Sequence, residues 1–268
     1  MALGVNTNVG AMVALQNLSK TNRDLEVTQG RINTGLAVAG AKDNGGIYAI
    51  AQAMRSDVAS LGAVGQSLGR AKSVVDVALA AGESISDLLV QMKEKAVAAA
   101  DASTDTTARA ALNEDFVALR KQISSIVSNA AFNGVNLINT ATGFQSLASA
   151  DGSSKISVNA ENLSLGGSII TIAATGQVNT QSAASTMLGT VNTSLTNANR
   201  ALARLGSISK RLDTQMEFNN KVSDALKAGI GNLVDADLSV ESARFPCRSS
   251  SSSASRRCRS PTARRRRS

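Results

Sequence analysis

The fold is decided by residues 47–98, which read IYAIAQAMRSDVASLGAVGQSLGRAKSVVDVALAAGESISDLLVQMKEKAVA. Alternating steps of three and four residues from Ile47 to Ala96 meet small or large apolar residues at nearly every position. Only Asp57 and Gly82 interrupt the series. A 3.5-residue repeat of this length is typical of the seam of a coiled-coil-like helix. Such a helix spans roughly 75 Å, which predicts a rod rather than a globule.

Three other segments repeat this spacing: 8–33, 108–130 and 188–233. A single narrow stripe stabilises a helix little on its own, since each large buried side chain contributes about 1.5–3 kcal/mol, so every seam needs a partner helix. In the first helix the predicted packing residues are Leu15, Leu18, Leu25 and Ile32. In the other helices the predicted seam residues are Leu61, Leu68, Val75, Leu89, Leu112, Phe116, Leu119, Leu195, Leu202 and Leu212.

Glycines and polar residues mark the expected connections. Four glycines predict an irregular connector at 34–46: Gly35, Gly40, Gly45 and Gly46. The polar turn at 99–107 is short, which predicts that the helices on either side are antiparallel neighbours. Three glycines share one stripe of the long helix: Gly62, Gly65 and Gly69. They leave two alternatives, a close approach of another backbone or a break between two helices.

The pattern changes between about 140 and 185. Lys155–Val158 alternates, Gly166–Gly167 marks a turn, and Ile169–Ile172 is β-branched, so this segment predicts one or two β-hairpins. The expected fold class is therefore mainly α: a long-helix, coiled-coil-like bundle, or rod, with a small β-hairpin region.

The composition removes several classes of function. The chain has no His, so neither a Ser–His–Asp or Cys–His site nor a His-containing zinc site can form. The sequence also lacks a glycine-rich phosphate loop. We therefore expect no enzyme activity, no cofactor and no metal.

The sequence pattern also indicates neither a conventional secretory signal nor a membrane span. Met1–Asn6 has neither the basic nor the apolar region of a secretory signal, and no 18-residue apolar run suggests a membrane span. We expect either a cytoplasmic protein or one exported without a cleaved signal.

The net charge of +8 comes from one end of the chain. Residues 246–268 hold eight Arg and no acid, together with both Cys and both Pro, and residues 1–245 are left with 20 basic and 20 acidic residues. This composition predicts a disordered tail. A remote alternative function is binding of a nucleic acid or another polyanion by the tail, with strong salt dependence.

Several segments, in chain order, resemble bacterial flagellin. VNTN at 5–8 with LQNL at 15–18 resembles the family's INTN…NL pattern, and RINTGL at 31–36 is similar to RLSSGL. AKDN at 41–44, KEKAV at 93–97, FNGVNL at 132–137 and DAD at 235–237 resemble further family segments. Together they cover residues 1–139 and about 186–244.

The resemblance implies a structural subunit that polymerises into the helical, extracellular flagellar filament. It implies an inner domain from 1–42 and 236–268, a rod domain from 43–139 and 186–235, and a small β region at 140–185. The implied partners are other copies, related flagellins, the flagellar export apparatus and its chaperone, and the filament cap and junction proteins, without nucleic acid or membrane. The runner-up in the same class is a hook–filament junction protein.

The end of the chain departs from the family, which continues with an apolar, Gln-rich helix where this chain has residues 246–268. We hypothesise a frameshift. Without that helix, we expect the Leu15–Ile32 stripe to stay half exposed and filaments to be poor.

Overall fold

The computed structural model describes the backbone of residues 8–249 and the side chains of residues 8–244. Its elements are α1 (Val9–Thr34), α2 (Gly45–Ala100), α3 (Thr106–Asn129), β1 (Phe144–Leu147), β2 (Lys155–Val158), α4 (Gln181–Val234) and α5 (Leu238–Ser249). The mainly α fold with long helices and a small β-hairpin is confirmed. The chain forms two compact units. The terminal unit holds the described residues up to Val58 and from Asp224 onward, and the central unit is Ala59–Ser223.

The long seam forms one uninterrupted helix, α2, so the predicted alternative of a break at the glycine stripe is wrong. Every seam position from Leu61 to Ala96 is buried. A Cβ at Gly65 would lie 3.4 Å from Asn219 Nδ2 on α4, whereas one at Gly62 or Gly69 would meet open space. None of the three glycines meets another backbone, so the alternative of a close backbone approach is also wrong.

Helix α4 runs antiparallel to α2 in the central unit. Lys72 Nζ lies 2.6 Å from Asp213 Oδ1, and Ser86 Oγ lies 3.2 Å from Asn199 Oδ1, so the α4 partner number falls as the α2 number rises. A Cβ at Gly82 would lie only 2.6 Å from Leu202 Cδ2. At Gly82, the Leu202 side chain of α4 occupies the space that a Cβ would need.

Helices α2 and α3 are antiparallel neighbours, as the short polar turn predicts. Lys95 of α2 pairs with Asp115 of α3 at 2.8 Å, and Arg109 Nε of α3 donates to the Ala99 carbonyl of α2 at 2.8 Å. The α3 partner number falls as the α2 number rises, so the two helices are antiparallel. The same buried guanidinium donates to the Asp101 and Thr104 carbonyls. It thereby binds carbonyl groups at the end of α2 and in the turn before α3.

The β region holds one antiparallel hairpin, in which Phe144 pairs with Val158 and Leu147 pairs with Lys155. The prediction of a strand at Ile169–Ile172 is wrong. Ile170 and Ile172 are fully buried, but the Thr171 N–H donates to Ser194 Oγ on α4 at 3.0 Å rather than to another strand. These β-branched residues supply core volume to the helices.

The connector after α1 is irregular, as predicted, but it is shorter than expected. Gly35 ends α1 with φ of 71°, a left-handed conformation that glycine adopts at little cost, and donates to the Arg31 carbonyl. Gly45 and Gly46 belong to the first turn of α2, because Asn44 Oδ1 accepts from the Ile47 N–H at 3.1 Å and so caps that helix.

Helix α5 corrects the predicted onset of the disordered tail. The backbone is helical through Ser249, so residues 246–249 continue a helix that begins at Leu238. Extending an existing helix costs far less than nucleating one, and a compositional average over 23 residues cannot detect that. Residues 250–268, with most of the Arg-rich segment, lie outside the described residues.

Candidate functional site

The first candidate site is the stripe on α1 formed by Leu15, Leu18, Leu25 and Ile32. Leu15 is 68% exposed and Leu18 is 56% exposed, whereas Leu25 and Ile32 are partly buried. Other large apolar side chains near the start of α1 are also exposed: Val9, Met12 and Val13. The N-terminal half of α1 thus presents an apolar surface that the described residues do not cover, which matches the expected half exposure.

Helix α5 contacts the other half of α1 through a buried carboxylate. Glu241 Oε1 accepts from Arg31 Nη1 at 3.0 Å and from Arg244 Nη1 at 3.2 Å, and the Glu241 side chain is only 8% exposed. Ile32 and Ser242 of α5 line the same pocket. The expectation that α1 has no C-terminal partner is therefore corrected: α5 is a partner, but a short one.

Asp237 starts α5. Its Oδ1 accepts from the backbone N–H groups of Ser239 at 3.0 Å and Val240 at 3.2 Å, as an N-cap does, and also from the Ser239 hydroxyl. Hydrogen bonds from the Ser239 hydroxyl and the Val240 N–H hold the pKa of the Asp237 carboxyl below its usual value. The last residue of the DAD segment thus fixes where α5 begins.

The connector after α1 and the junction between α4 and α5 are hydrogen-bonded to each other. Ala37 N donates to the Val234 carbonyl at 2.7 Å, and Ala236 N donates to the Gly35 carbonyl at 2.8 Å. Val38 and Val234 are buried together beside Ala51. Helix α1 therefore ends, and helix α5 begins, at one fixed junction within the terminal unit, which places α5 against α1.

Two of the motifs quoted from the sequence, AKDN and FNGVNL, lie at ends of structural elements. In AKDN, Asp43 Oδ2 accepts from the N–H groups of Ala39 and Gly40, and in FNGVNL the turn at Asn133 and Gly134 has positive φ at both residues. Phe132 and Val135 exchange backbone hydrogen bonds across that turn. These two motifs therefore cap or reverse an element, whereas KEKAV at 93–97 lies inside α2.

The predicted seam residues of the central unit all face the interior to some degree. Six are buried: Leu61, Leu68, Val75, Leu89, Phe116 and Leu212. Four are half-buried: Leu112, Leu119, Leu195 and Leu202. Their contribution to contacts between subunits stays a prediction.

Sequence reasoning missed the long-range polar pairs that hold the elements together. Arg204 binds Glu161 in a two-pronged ion pair, with Nε–Oε1 at 2.6 Å and Nη2–Oε2 at 2.5 Å, which attaches the loop before Gly166 to α4. That pairing raises the pKa of Arg204. The only sequence signal is a lone acid in a mostly polar, uncharged segment, which is too weak to identify its partner.

Within residues 8–249, no helix is both long and apolar enough to cross a membrane. No group of three or more His, Cys, Asp or Glu side chains in that range is placed to hold a metal ion.

Two family models match most of the chain. Residues 5–143 match the bacterial flagellin N-terminal helical region, and residues 188–255 match the bacterial flagellin C-terminal helical region. The chain belongs to the bacterial flagellin family. The C-terminal match reaches residue 255, inside the Ser- and Arg-rich segment, so the family pattern extends further than the composition indicates.

Similar proteins agree with this assignment. Flagellins FljM and FljK of Caulobacter vibrioides are each 50% identical to the chain over 247 residues, covering 91% of the chain and 89% of their own length. The flagellin of Brucella melitensis is 34% identical over 249 residues, covering 89% of the chain and 88% of its own length. The crystal structure of Bacillus cereus flagellin aligns with a TM-score of 0.50 and 25% identity, covering 56% of the chain and 86% of that flagellin.

This flagellin is a structural subunit of the bacterial flagellar filament. The hook–filament junction alternative and the polyanion-binding alternative are not favoured, because the relatives described above are flagellins. The family is structural and forms an extracellular filament, which fits a protein without an enzymatic role.

Proposed function

We propose that this chain is exported through the flagellar export apparatus with its chaperone, and that it polymerises outside the cell with copies of itself and with related flagellins. The filament cap and junction proteins are its further partners. The inner domain comprises 1–42 and 236–268, the rod domain comprises 43–139 and 186–235, and 140–185 forms a small β region.

The observation that carries this proposal is the exposed apolar stripe on α1. Leu15 and Leu18 continue the stripe of the partly buried Leu25 and Ile32, but the described chain supplies no cover for them. Contiguous apolar surface of this kind is typical of protein–protein contacts. A subunit that buries this stripe only when it joins its neighbours couples helix packing to assembly.

Elongation of filament seeds tests the proposal. Sheared filaments of a related flagellin are mixed with the purified chain, and growth is followed by electron microscopy and sedimentation. We expect the chain to elongate the seeds. We expect Leu15→Asp/Leu18→Asp to abolish elongation, since two charges would then be buried in an apolar contact.

Two further variants complete the design. Lys20→Asp/Arg23→Asp changes charged residues on the same helix and serves as a control that keeps the stripe. Replacing 246–268 by the C-terminal segment of a related flagellin tests the expectation of poor filaments and should raise the yield. If neither the native chain nor this replacement elongates seeds, the proposal is wrong.

A further inference from the structure

The central unit carries an acidic face on α2. Glu83, Asp87 and Glu94 are exposed, and the exposed Val90 and Val97 lie between and beyond them at steps of four and three residues. This spacing places all five on one stripe of the helix, which we call the α2 acidic face. Across the part of the chain with described side chains, none of the three carboxylates forms an ion pair.

The same unit carries a basic groove between β2 and α4. Lys155, Lys210 and Arg211 line it together with Thr214 and Gln215, and we call it the β2–α4 basic groove. The three cations are exposed and take part in no ion pair within the described side chains.

The nearest acid on α4 does not neutralise this groove. Asp213 is adjacent to Thr214 in sequence, but its carboxylate is paired with Lys72 of α2 at 2.6 Å. That pairing also raises the pKa of Lys72. The groove therefore keeps its positive charge.

One copy cannot bring its two surfaces together. Lys72 lies beside Asp213, and Asp76 lies beside Ser209. By interpolation between these two pairs, Lys210 of α4 lies at the same height along the helix axis as residue 75 of α2. The carboxylates of the acidic face begin eight residues and end nineteen residues beyond that level, which corresponds to roughly 12–28 Å along the helix axis. Both surfaces belong to one packed helix pair, so this separation is fixed.

We propose that the α2 acidic face of one copy docks into the β2–α4 basic groove of a second copy. This inference rests on the proposed polymerisation and identifies one of its contacts. The two surfaces differ and are offset along the helices, so the contact is heterologous. Repeated heterologous contacts that do not close into a ring produce an open helical polymer.

The chemistry of the contact determines how it responds to solution conditions. Exposed carboxylates opposite Lys and Arg set orientation and association rate more than binding strength, and salt screens them. The contact should therefore fix the lengthwise register of neighbouring copies and weaken as ionic strength rises.

A charge-swap experiment tests the pairing. Lys210→Glu/Arg211→Glu reverses the groove, and Glu83→Lys/Asp87→Lys reverses the face. We expect each double variant to lower the self-association constant at least about tenfold at low ionic strength, because like charges then oppose each other. Combining all four changes in one chain restores opposite charges and should return the constant to within about threefold of the original.

The readout is sedimentation equilibrium of the full chain, and Glu114→Lys/Lys121→Glu is the control. Both control residues are exposed on α3, and the exchange leaves the net charge unchanged. If the control weakens association as much as the two reversals do, or if the combined variant is no better than either reversal, the pairing is wrong.

Carbodiimide crosslinking of a mixture of isotope-labelled and unlabelled chains identifies the contact directly. We expect mixed-isotope crosslinks that join Lys155 or Lys210 to Glu83, Asp87 or Glu94. Self-association without these crosslinks overturns this inference and leaves the proposed function intact. An original chain that neither self-associates nor elongates seeds overturns both. Binding of nucleic acid by the groove in place of a second copy would also overturn the inference.

Discussion

Helices α1 and α2 carry the same kind of apolar repeat but differ in how it is satisfied. In α2, the seam from Leu61 to Ala96 is buried throughout, because α3 and α4 pack beside it in the same unit. In α1, Leu15 and Leu18 are exposed, and the described part of α5 covers only the other end. Periodicity therefore identifies the face that needs a partner. It does not establish that the same copy provides one.

The largest expected effect on stability comes from comparing a buried side chain of the central unit with an exposed side chain of α1. Phe116 is fully buried among α2, α3 and α4, so Phe116→Ala should lower the free energy of unfolding by about 3–5 kcal/mol. Leu18→Ala removes an exposed side chain from α1 and should change it by less than about 0.5 kcal/mol in the isolated chain. Urea denaturation of unassembled protein measures both changes.

Phe218→Ala is the matched control, since Phe218 is the same residue type but 60% exposed on α4. Its effect should resemble that of Leu18→Ala. A loss of stability in Leu18→Ala comparable to that in Phe116→Ala would mean that the α1 stripe is already covered within one copy, and would remove the contrast between the two helices.

The next largest effect concerns the contact between α1 and α5. Glu241→Gln removes the charge that Arg31 and Arg244 share in a nearly buried position, and should weaken the docking of α5 by about 1.5–3 kcal/mol. Amide hydrogen exchange in α5 measures the local opening.

A double-mutant cycle with Arg31→Met isolates the pair across the two helices. Arg244→Ala is the control, because Arg244 is more exposed and lies on α5 itself. Unchanged exchange in α5 after Glu241→Gln would show that apolar contacts alone hold the helix.

Elements that depend on local sequence could be predicted, and elements that depend on distant residues could not. Helices α2, α3 and α4 could be predicted within a few residues, because a long apolar repeat shows the helical period directly in the sequence. The hairpin was only half predicted: Lys155–Val158 alternates, but its partner β1 has four residues and no clear alternation. The error at Ile169–Ile172 has a related cause, since β-branched residues suit a strand locally and Ser194 on α4 redirects the backbone.

The candidate sites also divide into one that local spacing predicts and one that it does not. The stripe on α1 could be read from spacing alone, because exposed and buried stripes share one pattern. Its pairing with α5 could not, since Arg31 and Glu241 are 210 positions apart and neither stands out among the other charges. Charge pairs of this kind depend on the completed fold.

A smaller effect separates two glycines of the same helix. Gly62→Ala meets open space and should stabilise α2 by about 0.5–1 kcal/mol, because alanine loses less backbone freedom. Gly82→Ala should cancel that gain or destabilise by about 1 kcal/mol, since its Cβ would press on Leu202 Cδ2.

Thermal unfolding of the two variants, side by side, measures the difference. Leu202→Ala in the Gly82→Ala background removes the obstructing atoms, so the penalty for Gly82→Ala should shrink there. Equal stabilisation by both glycine replacements would show that α4 can shift away from α2 without cost, in contrast to a close-packed seam.

The smallest effect tests how α5 begins. The pKa of Asp237 is held below 3.8 by the Ser239 hydroxyl and the Val240 N–H, so the ionised carboxylate is favoured in the folded state. Its contribution to α5 is fully present above pH 3.8 and is lost as the pH falls through the lowered pKa. Backbone carbon chemical shifts of α5, followed by NMR during acidification, should therefore report loss of helix in this range.

Asp237→Asn separates this group from other carboxylates, because asparagine is also an effective N-cap but does not titrate. All other carboxyl groups are the same in both proteins, so the difference between their curves belongs to Asp237. We expect the Asn variant to keep more α5 helix at acid pH. Identical curves would mean that the Asp237 cap does not set the pH response of α5, so that docking rather than capping decides whether this short helix forms.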